Sequence, residues 1–275
     1  MEQEQVITSI QNPKVKRLIQ LQQKSSERRA AQRFVVEGAR ELMHCLEAGY
    51  EIAMLFYCPE ILTRYEHAAE IMQLARQAEC YQVTPRVYER FAYRGSTEGV
   101  VAVMKSRSFG LDDIKLSASP LLVILERVEK PGNLGAVLRS ADAAAADAVI
   151  ICDPLTDLYN PNLIRSSIGA VFTVPTVACR SEECIAFLKA HHIQILTAQL
   201  QDSKLYYDTD MKQPTAIVMG TESTGLTNVW REAADAHIRI PMLGRLDSLN
   251  VSVSAAILLF EAIRQRDGEH CLTEG

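Results

Sequence analysis

The feature that most constrains this chain is a series of short, largely apolar runs from residue 121 onward. Leu121-Leu122-Val123-Ile124-Leu125 comes first, followed by Ala148-Val149-Ile150-Ile151-Cys152, Thr173-Val174-Pro175-Thr176-Val177, Ile193-Gln194-Ile195-Leu196-Thr197 and Ala216-Ile217-Val218-Met219. A half-exposed strand alternates polar and apolar residues, whereas a strand covered by helices on both faces, as in a parallel sheet, does not. A helical pattern or a turn separates each run from the next, which predicts an open, mostly parallel α/β sheet. A further strand ends at Pro241, and a final helix is predicted from about Asn250 to Arg266.

A smaller α/β/α unit is predicted upstream, over about 30–107. Strand Arg33–Glu37 passes through Gly38 into a helix carrying Leu42, Cys45 and Leu46. Strand Ala53–Tyr57 is closed by Pro59, a helix covers about 63–78, Tyr81–Val83 is a strand, a short helix follows Pro85, and Gly99–Met104 is a buried strand. The stretch from 106 to 120 mixes Ser, Gly, Asp and Pro without sustained periodicity. The predicted division is 1–107, a linker over 108–120, and 121–275.

Charge narrows the function classes. With 29 Lys+Arg against 34 Asp+Glu, the 275-residue chain carries −5, which argues against coating nucleic acid or an anionic membrane by bulk charge. The distribution is uneven: residues 1–107 hold 15 basic and 13 acidic side chains, the remainder 14 and 21. Within residues 1–35, Lys14, Lys16, Arg17, Lys24, Arg28, Arg29 and Arg33 face only Glu2, Glu4 and Glu27. Such a run reads as a solvated helix face or as an arm contacting phosphates.

The N-terminus lacks the basic-then-apolar order of a secretion signal, and the apolar stretch near 251–263 is too short to span a bilayer. A cytoplasmic protein with no membrane partner is expected. Seven cysteines, at 45, 58, 80, 152, 179, 184 and 271, form no Cys-x-x-Cys pair and read as inert thiols in a reducing compartment. Six histidines show no metal-ligand spacing, so no metal site is expected.

Ligands of open parallel sheets bind beyond the carboxyl ends of the strands, and three such loops stand out. In Glu126-Arg127-Val128-Glu129-Lys130-Pro131-Gly132-Asn133-Leu134-Gly135, Asn133 can cap a helix on which Arg139 then lies. Helix-start chemistry and an ion pair of Arg139 with Asp142 are the plainer readings. Gly220-Thr221-Glu222-Ser223-Thr224-Gly225-Leu226 spaces its glycines like a Walker A loop but has Leu226 where the phosphate-binding lysine belongs, which disfavours nucleotide hydrolysis. In the third, from Ile240-Pro241-Met242 through Gly244 to Ser248-Leu249-Asn250-Val251-Ser252, Ser248 or Asn250 caps the final helix. The dinucleotide fingerprint Gly-x-Gly-x-x-Gly is incomplete, so a dehydrogenase is a distant reading.

Taken in order, these loops resemble the three motifs of the SpoU/TrmH family of RNA ribose 2′-O-methyltransferases, in the SPOUT class. Asn133-x-Gly135-x-x-x-Arg139 matches the first, Gly220-x-Glu222-x-x-Gly225-Leu226 the second, and Ile240-Pro241-Met242 with Ser248-Leu249-Asn250-Val251-Ser252 the third. Thr8-Ser9-x-x-Asn12-Pro13-x-Val15-Lys16, Val36-Glu37-Gly38 and Gly99-Val100-Val101-Ala102 are similar to an L30e-like substrate-binding module, and Arg165-Ser166-Ser167-Ile168-Gly169-Ala170 to a further family run.

The resemblance implies a C-terminal SPOUT domain with a deep trefoil knot, S-adenosylmethionine as cofactor, and a homodimer through that domain. It implies cofactor contacts from Gly220, Thr221, Gly225, Ile240, Met242, Ser248 and Leu249. Arg139 is the implied catalytic arginine, Asn133 positions it or the ribose, Glu222 orders the cofactor loop, and Asn250 and Ser252 hold the site together. Lys14, Lys16, Arg17, Arg28, Arg29 and Arg165 are the expected RNA contacts. Ribosomal RNA is the expected substrate, with transfer RNA methylation or an rRNA resistance methyltransferase as alternatives. A non-catalytic RNA-binding assembly factor is the alternative from another class.

Overall fold

The structure, a computed structural model, describes residues 5–65, 68–74, 78–93, 98–221 and 223–266. It divides into two compact units. One comprises the chain through Ser108 together with Asp157–Thr173, the other Phe109–Thr156 and the chain from Val174 onward.

In the first unit, β1 (Gln5–Ile7), β2 (Arg33–Glu37), β3 (Ile52–Tyr57), β4 (Glu79–Val83) and β5 (Val100–Lys105) form, among the described residues, a five-stranded sheet in the order β1-β4-β3-β5-β2. β5 runs antiparallel to both β2 and β3. The helix Pro13–Gln23 begins where the Asn12 carboxamide accepts from the Lys14 N–H at 2.8 Å and Pro13 presets the first turn. It buries Val15, Leu18 and Leu21 in a core shared with Phe56, Tyr88 and Val101.

Two sequence expectations about boundaries are corrected here. Residues 157–173, predicted to lie within the second domain, pack with the first unit: Tyr159 stacks on Phe34 at 4.2 Å between ring centroids, and Asp157 pairs with Arg28 at 2.6 Å. The expected linker 108–120 is not a free tether. From Phe109 it belongs to the second unit, where Ile114 enters the core and Leu111 and Leu116 pack against it. Apolar residues spaced irregularly among Ser, Gly and Asp leave no period from which this could be read.

In the second unit, β6 (Leu121–Glu126), β7 (Ala148–Cys152), β8 (Thr176–Cys179), β9 (Gln194–Ala198), β10 (Lys204–Leu205), β11 (Thr215–Met219) and β12 (Ala236–Arg239) form, among the described residues, a seven-stranded sheet. The order is β10-β12-β9-β11-β6-β7-β8, and every pairing is parallel. This is the predicted parallel α/β architecture. All six residues of β6 are buried; full burial of one such aliphatic side chain contributes roughly 1.5–3 kcal/mol. The expected strand 173–177 is shifted: residues 170–173 are helical and the strand is Thr176–Cys179. The left-handed Ile168 and Gly169 bring the chain round into that short helix.

The chain runs outward from β6 through β7 to β8, returns across the sheet to β9, and then inserts β11 between β9 and β6. The loops after β6, β9, β11 and β12 therefore leave from one edge of the sheet, around the place where the strand order reverses. The helix Pro131–Ala143 packs on the final helix Val251–Arg266. Among the described residues, no helix is long and apolar enough to cross a membrane.

Candidate active site

The loop after β11 owes its shape to two glycines with different tasks. A Cβ on Gly220 would lie 2.3 Å from the backbone carbon and oxygen of Gly225, so the position excludes any side chain. Gly225 has φ +66° in open space, a left-handed conformation that L-residues adopt at a cost. Between them Thr221 bridges to Gly225, whose N–H donates to the Thr221 carbonyl at 3.0 Å, and the Thr221 hydroxyl accepts from the Thr224 N–H at 3.1 Å. The result is a closed backbone turn at the strand end. Glu222 lies outside the described residues.

The loop after β12 leads through Ile240 and Met242 to the final helix, and Asn250 is its cap. The Asn250 Oδ1 accepts from the Ser252 N–H at 3.0 Å and from the Ser252 hydroxyl at 2.6 Å. Its amide donates to Asn133 Oδ1 at 3.1 Å, which joins the first and third motifs. Asn133 does not cap its own helix. That helix starts at Pro131 with Lys130 in the cap position, because proline fills the first turn without needing a donor.

A cleft of about 360 Å³ lies at the ends of β9 and β11, lined by Gly220, Thr221, Gly225, Ser248 and Leu249. An adjoining cavity shares Ser248 and Leu249 and adds Ile240 and Met242. The expected cofactor residues are thus gathered around one place. A third hollow shares Thr221 and is lined also by Asn133, Val128, Lys130 and Val251.

Several lining residues escaped the sequence reading. Gln199 and Leu200 follow β9, and Arg231 comes from the helix Asn228–Ala233. Gln199 Oε1 and Arg231 Nε are buried and without a hydrogen-bond partner among the described residues. Buried polar atoms are normally paired, so an acceptor and a donor left open in a cleft suit a ligand that has both. Glu126, buried at the end of β6, accepts from the Thr227 N–H at 2.8 Å and from its hydroxyl at 2.6 Å, and so ties the loop after β11 to β6. The signal for Glu126 was available: it is the carboxylate that ends a wholly apolar run.

Arg139 stands apart. It is exposed on the helix Pro131–Ala143 and makes no hydrogen bond or ion pair among the described residues, including the pair with Asp142 offered by the plainer reading. It does not line the cleft within this chain.

The expected RNA contacts divide into free and engaged cations. Lys16 and Arg29 are exposed, with no ion pair among the described residues. Lys14 bonds Tyr81 and pairs with Glu79, Arg17 pairs with Glu27 at 2.5 Å, and Arg165 stacks on Tyr93 at 3.5 Å and pairs with Glu37. Hydrogen bonding to the Tyr81 oxygen holds the Lys14 ammonium above its usual range. Arg28 is a correction: it is 5% exposed and donates to Asp157 and to the carbonyls of Leu21 and Gln22, so its charge serves packing rather than RNA.

Comparison with known proteins places this geometry. Residues 120–260 match the SpoU rRNA Methylase family, and residues 12–102 match the MRM3-like substrate binding domain. The chain is 31% identical over 249 residues to the 23S rRNA (uridine(2479)-2′-O)-methyltransferase of Streptomyces viridochromogenes, covering 88% of this chain and 86% of that protein. It is 38% identical over 176 residues to the 23S rRNA (guanosine-2′-O-)-methyltransferase RlmB of Bordetella pertussis, covering 62% and 72%. Among solved structures, the AdoMet-bound rRNA methyltransferase from Sinorhizobium meliloti aligns with a TM-score of 0.85 at 32% identity, over 94% of this chain and 97% of that one.

Proposed function

The chain belongs to the SpoU rRNA methylase family and is an S-adenosylmethionine-dependent rRNA ribose 2′-O-methyltransferase; we propose that the cleft beyond β9, β11 and β12 holds the cofactor and that Arg139 acts on the ribose beside it. The observation that carries this reading is the convergence of Gly220, Gly225, Ile240, Met242, Ser248 and Leu249 on two adjoining cavities. The residues present fit the cofactor. Leu200, Ile240, Met242 and Leu249 offer apolar surface to a flat base, the closed turn of Gly220 and Gly225 lines the cleft, and Gln199 Oε1 and Arg231 Nε are a buried acceptor and donor without partners among the described residues.

When bound, the cofactor supplies an electrophilic methyl group on a sulfonium. What remains for the protein is alignment of the 2′-hydroxyl and removal of its proton. A guanidinium has a pKa of about 12.5 or above and is a poor base at neutral pH. Arg139 is therefore assigned to hold a substrate phosphate and to stabilise the 2′-oxygen as its proton passes to solvent. Asn133, held by Asn250, positions the ribose side of the site, Ser252 keeps Asn250 in place, and Glu222 orders the cofactor loop.

Arg139 meets the cleft through a second copy of the chain in this reading. Leu246, Leu249, Val253 and Phe260, exposed by 75, 36, 47 and 49%, give the second unit an apolar surface suited to a homodimer. The trefoil knot, a cytoplasmic location, and an RNA-gripping first unit led by Lys16 and Arg29 complete the proposal. Its test is methyl transfer from labelled S-adenosylmethionine to rRNA, with nuclease digestion to nucleosides. Label in 2′-O-methylribose supports the reading; RNA binding without cofactor affinity favours an assembly factor.

A further inference from the structure

Cysteines that the sequence scatters are brought together by the sheet. Cys152 ends β7 and is in register with Cys179, which ends β8; the helix Ser181–Ala190 then returns Cys184 to the same point. The three Sγ atoms all lie within 4.8 Å of one another. Cys152 and Cys184 are fully buried, and Cys179 is half-buried.

We propose that Cys152, Cys179 and Cys184 form a three-thiolate site for one soft, thiophilic d10 cation of the Zn(II) class. With Zn–S bonds of about 2.3 Å, tetrahedral sulfurs sit about 3.8 Å apart, so the trio has to close by no more than about 1 Å. The frame is fixed in advance: the Arg180 N–H donates to Glu183 at 3.0 Å at the helix start, and the Ser181 hydroxyl donates to Asp153 at 2.7 Å. Three sulfur ligands select a soft ion over magnesium or calcium, which take oxygen donors.

A cavity lined by Cys179, Glu183, Phe187 and His191 gives the ion a path from solvent to the half-buried Cys179. As three S–metal bonds form, three thiol protons pass to solvent, and the site goes from neutral to a single negative charge with a divalent ion. No electron is transferred. A trio that serves only as small apolar core residues is the competing account, and it predicts no saturable metal binding.

Trp230, the chain's single tryptophan, is a built-in reporter. Its indole donates to the Ser181 hydroxyl at 2.9 Å, and it shares a core with Cys152 and Cys184. The experiment titrates the whole 275-residue chain, reduced with a phosphine, with Zn(II) and with Cd(II) as the spectroscopic probe. Expected are one ion per chain, a thiolate-to-cadmium charge-transfer band, a change in Trp230 emission, and protection of the half-buried Cys179 from alkylation by peptide mapping. Cys179→Ser removes a ligand and should weaken binding by at least the roughly 10–100-fold that loss of a ligand's supporting hydrogen bond costs, with Cys80→Ser unchanged. Alkylation of Cys179 that is indifferent to metal, or equal affinity in a folded Cys179→Ser protein, overturns the proposal. The alkylation arm uses the unaltered chain and so reads the site even if a variant misfolds.

Discussion

The side-chain amide of Asn250 donates to Asn133 Oδ1 at 3.1 Å across 117 residues of sequence. One end of that bond belongs to the helix after β6, the other to the cap of the final helix. Asn250 therefore does two separable things, capping through its oxygen and bridging through its nitrogen.

Those two roles predict different outcomes for two substitutions. Asn250→Asp keeps an acceptor for Ser252 but loses the donor to Asn133, so it should melt near the wild-type temperature while methyl transfer falls. Asn250→Ala loses both, and removal of a cap costs about 1 kcal/mol, or roughly 2–4 °C for a domain of this size. Thermal unfolding beside a methyl-transfer assay separates them; equal activity in the wild-type and Asp proteins would show that the bridge is idle.

The two glycines of the β11 loop should respond unequally. Gly220→Ala places a Cβ against immovable backbone, an overpacking worth about 1–3 kcal/mol, and should abolish measurable cofactor binding by calorimetry. Gly225→Ala meets open space and carries only the left-handed backbone cost, about 1–2 kcal/mol. Its binding should weaken by a smaller factor. Cofactor binding by Gly220→Ala at wild-type strength would contradict the loop geometry.

Among the N-terminal cations, stability and RNA affinity should part company. Arg28→Ala leaves Asp157 without its buried partner and should destabilise the first unit by about 3–5 kcal/mol, read by denaturant unfolding. Lys16→Ala and Arg29→Ala should change stability by less than about 0.5 kcal/mol. Each should instead weaken rRNA binding and lower the slope of log affinity against log salt by about 0.7–0.9. Unchanged salt slopes in both would remove them from the RNA surface.

The parallel sheet was legible because β6, β7 and β11 are apolar at nearly every position, and only cover on both faces explains such runs. The edge strands β1 and β10 were not, since three and two residues carry no period. The three motif loops were readable as motifs, and their meeting only through the family resemblance: Gln199 and Arg231 become lining residues through the order in which β9, β11 and β12 pair. Arg28 looked like the neighbouring cations because charge is visible in a sequence and burial is not. The cysteine trio was hidden for the same reason, as strand register rather than spacing unites it.

The central claim assigns Arg139 to the transfer step and the cleft to the cofactor, and single-turnover methyl transfer by Arg139→Ala, with its S-adenosylmethionine Kd measured on the same preparation, tests it most directly. The account predicts a rate lower by at least about 100-fold with cofactor affinity retained. Full turnover in that variant, or loss of cofactor binding along with it, would contradict the account.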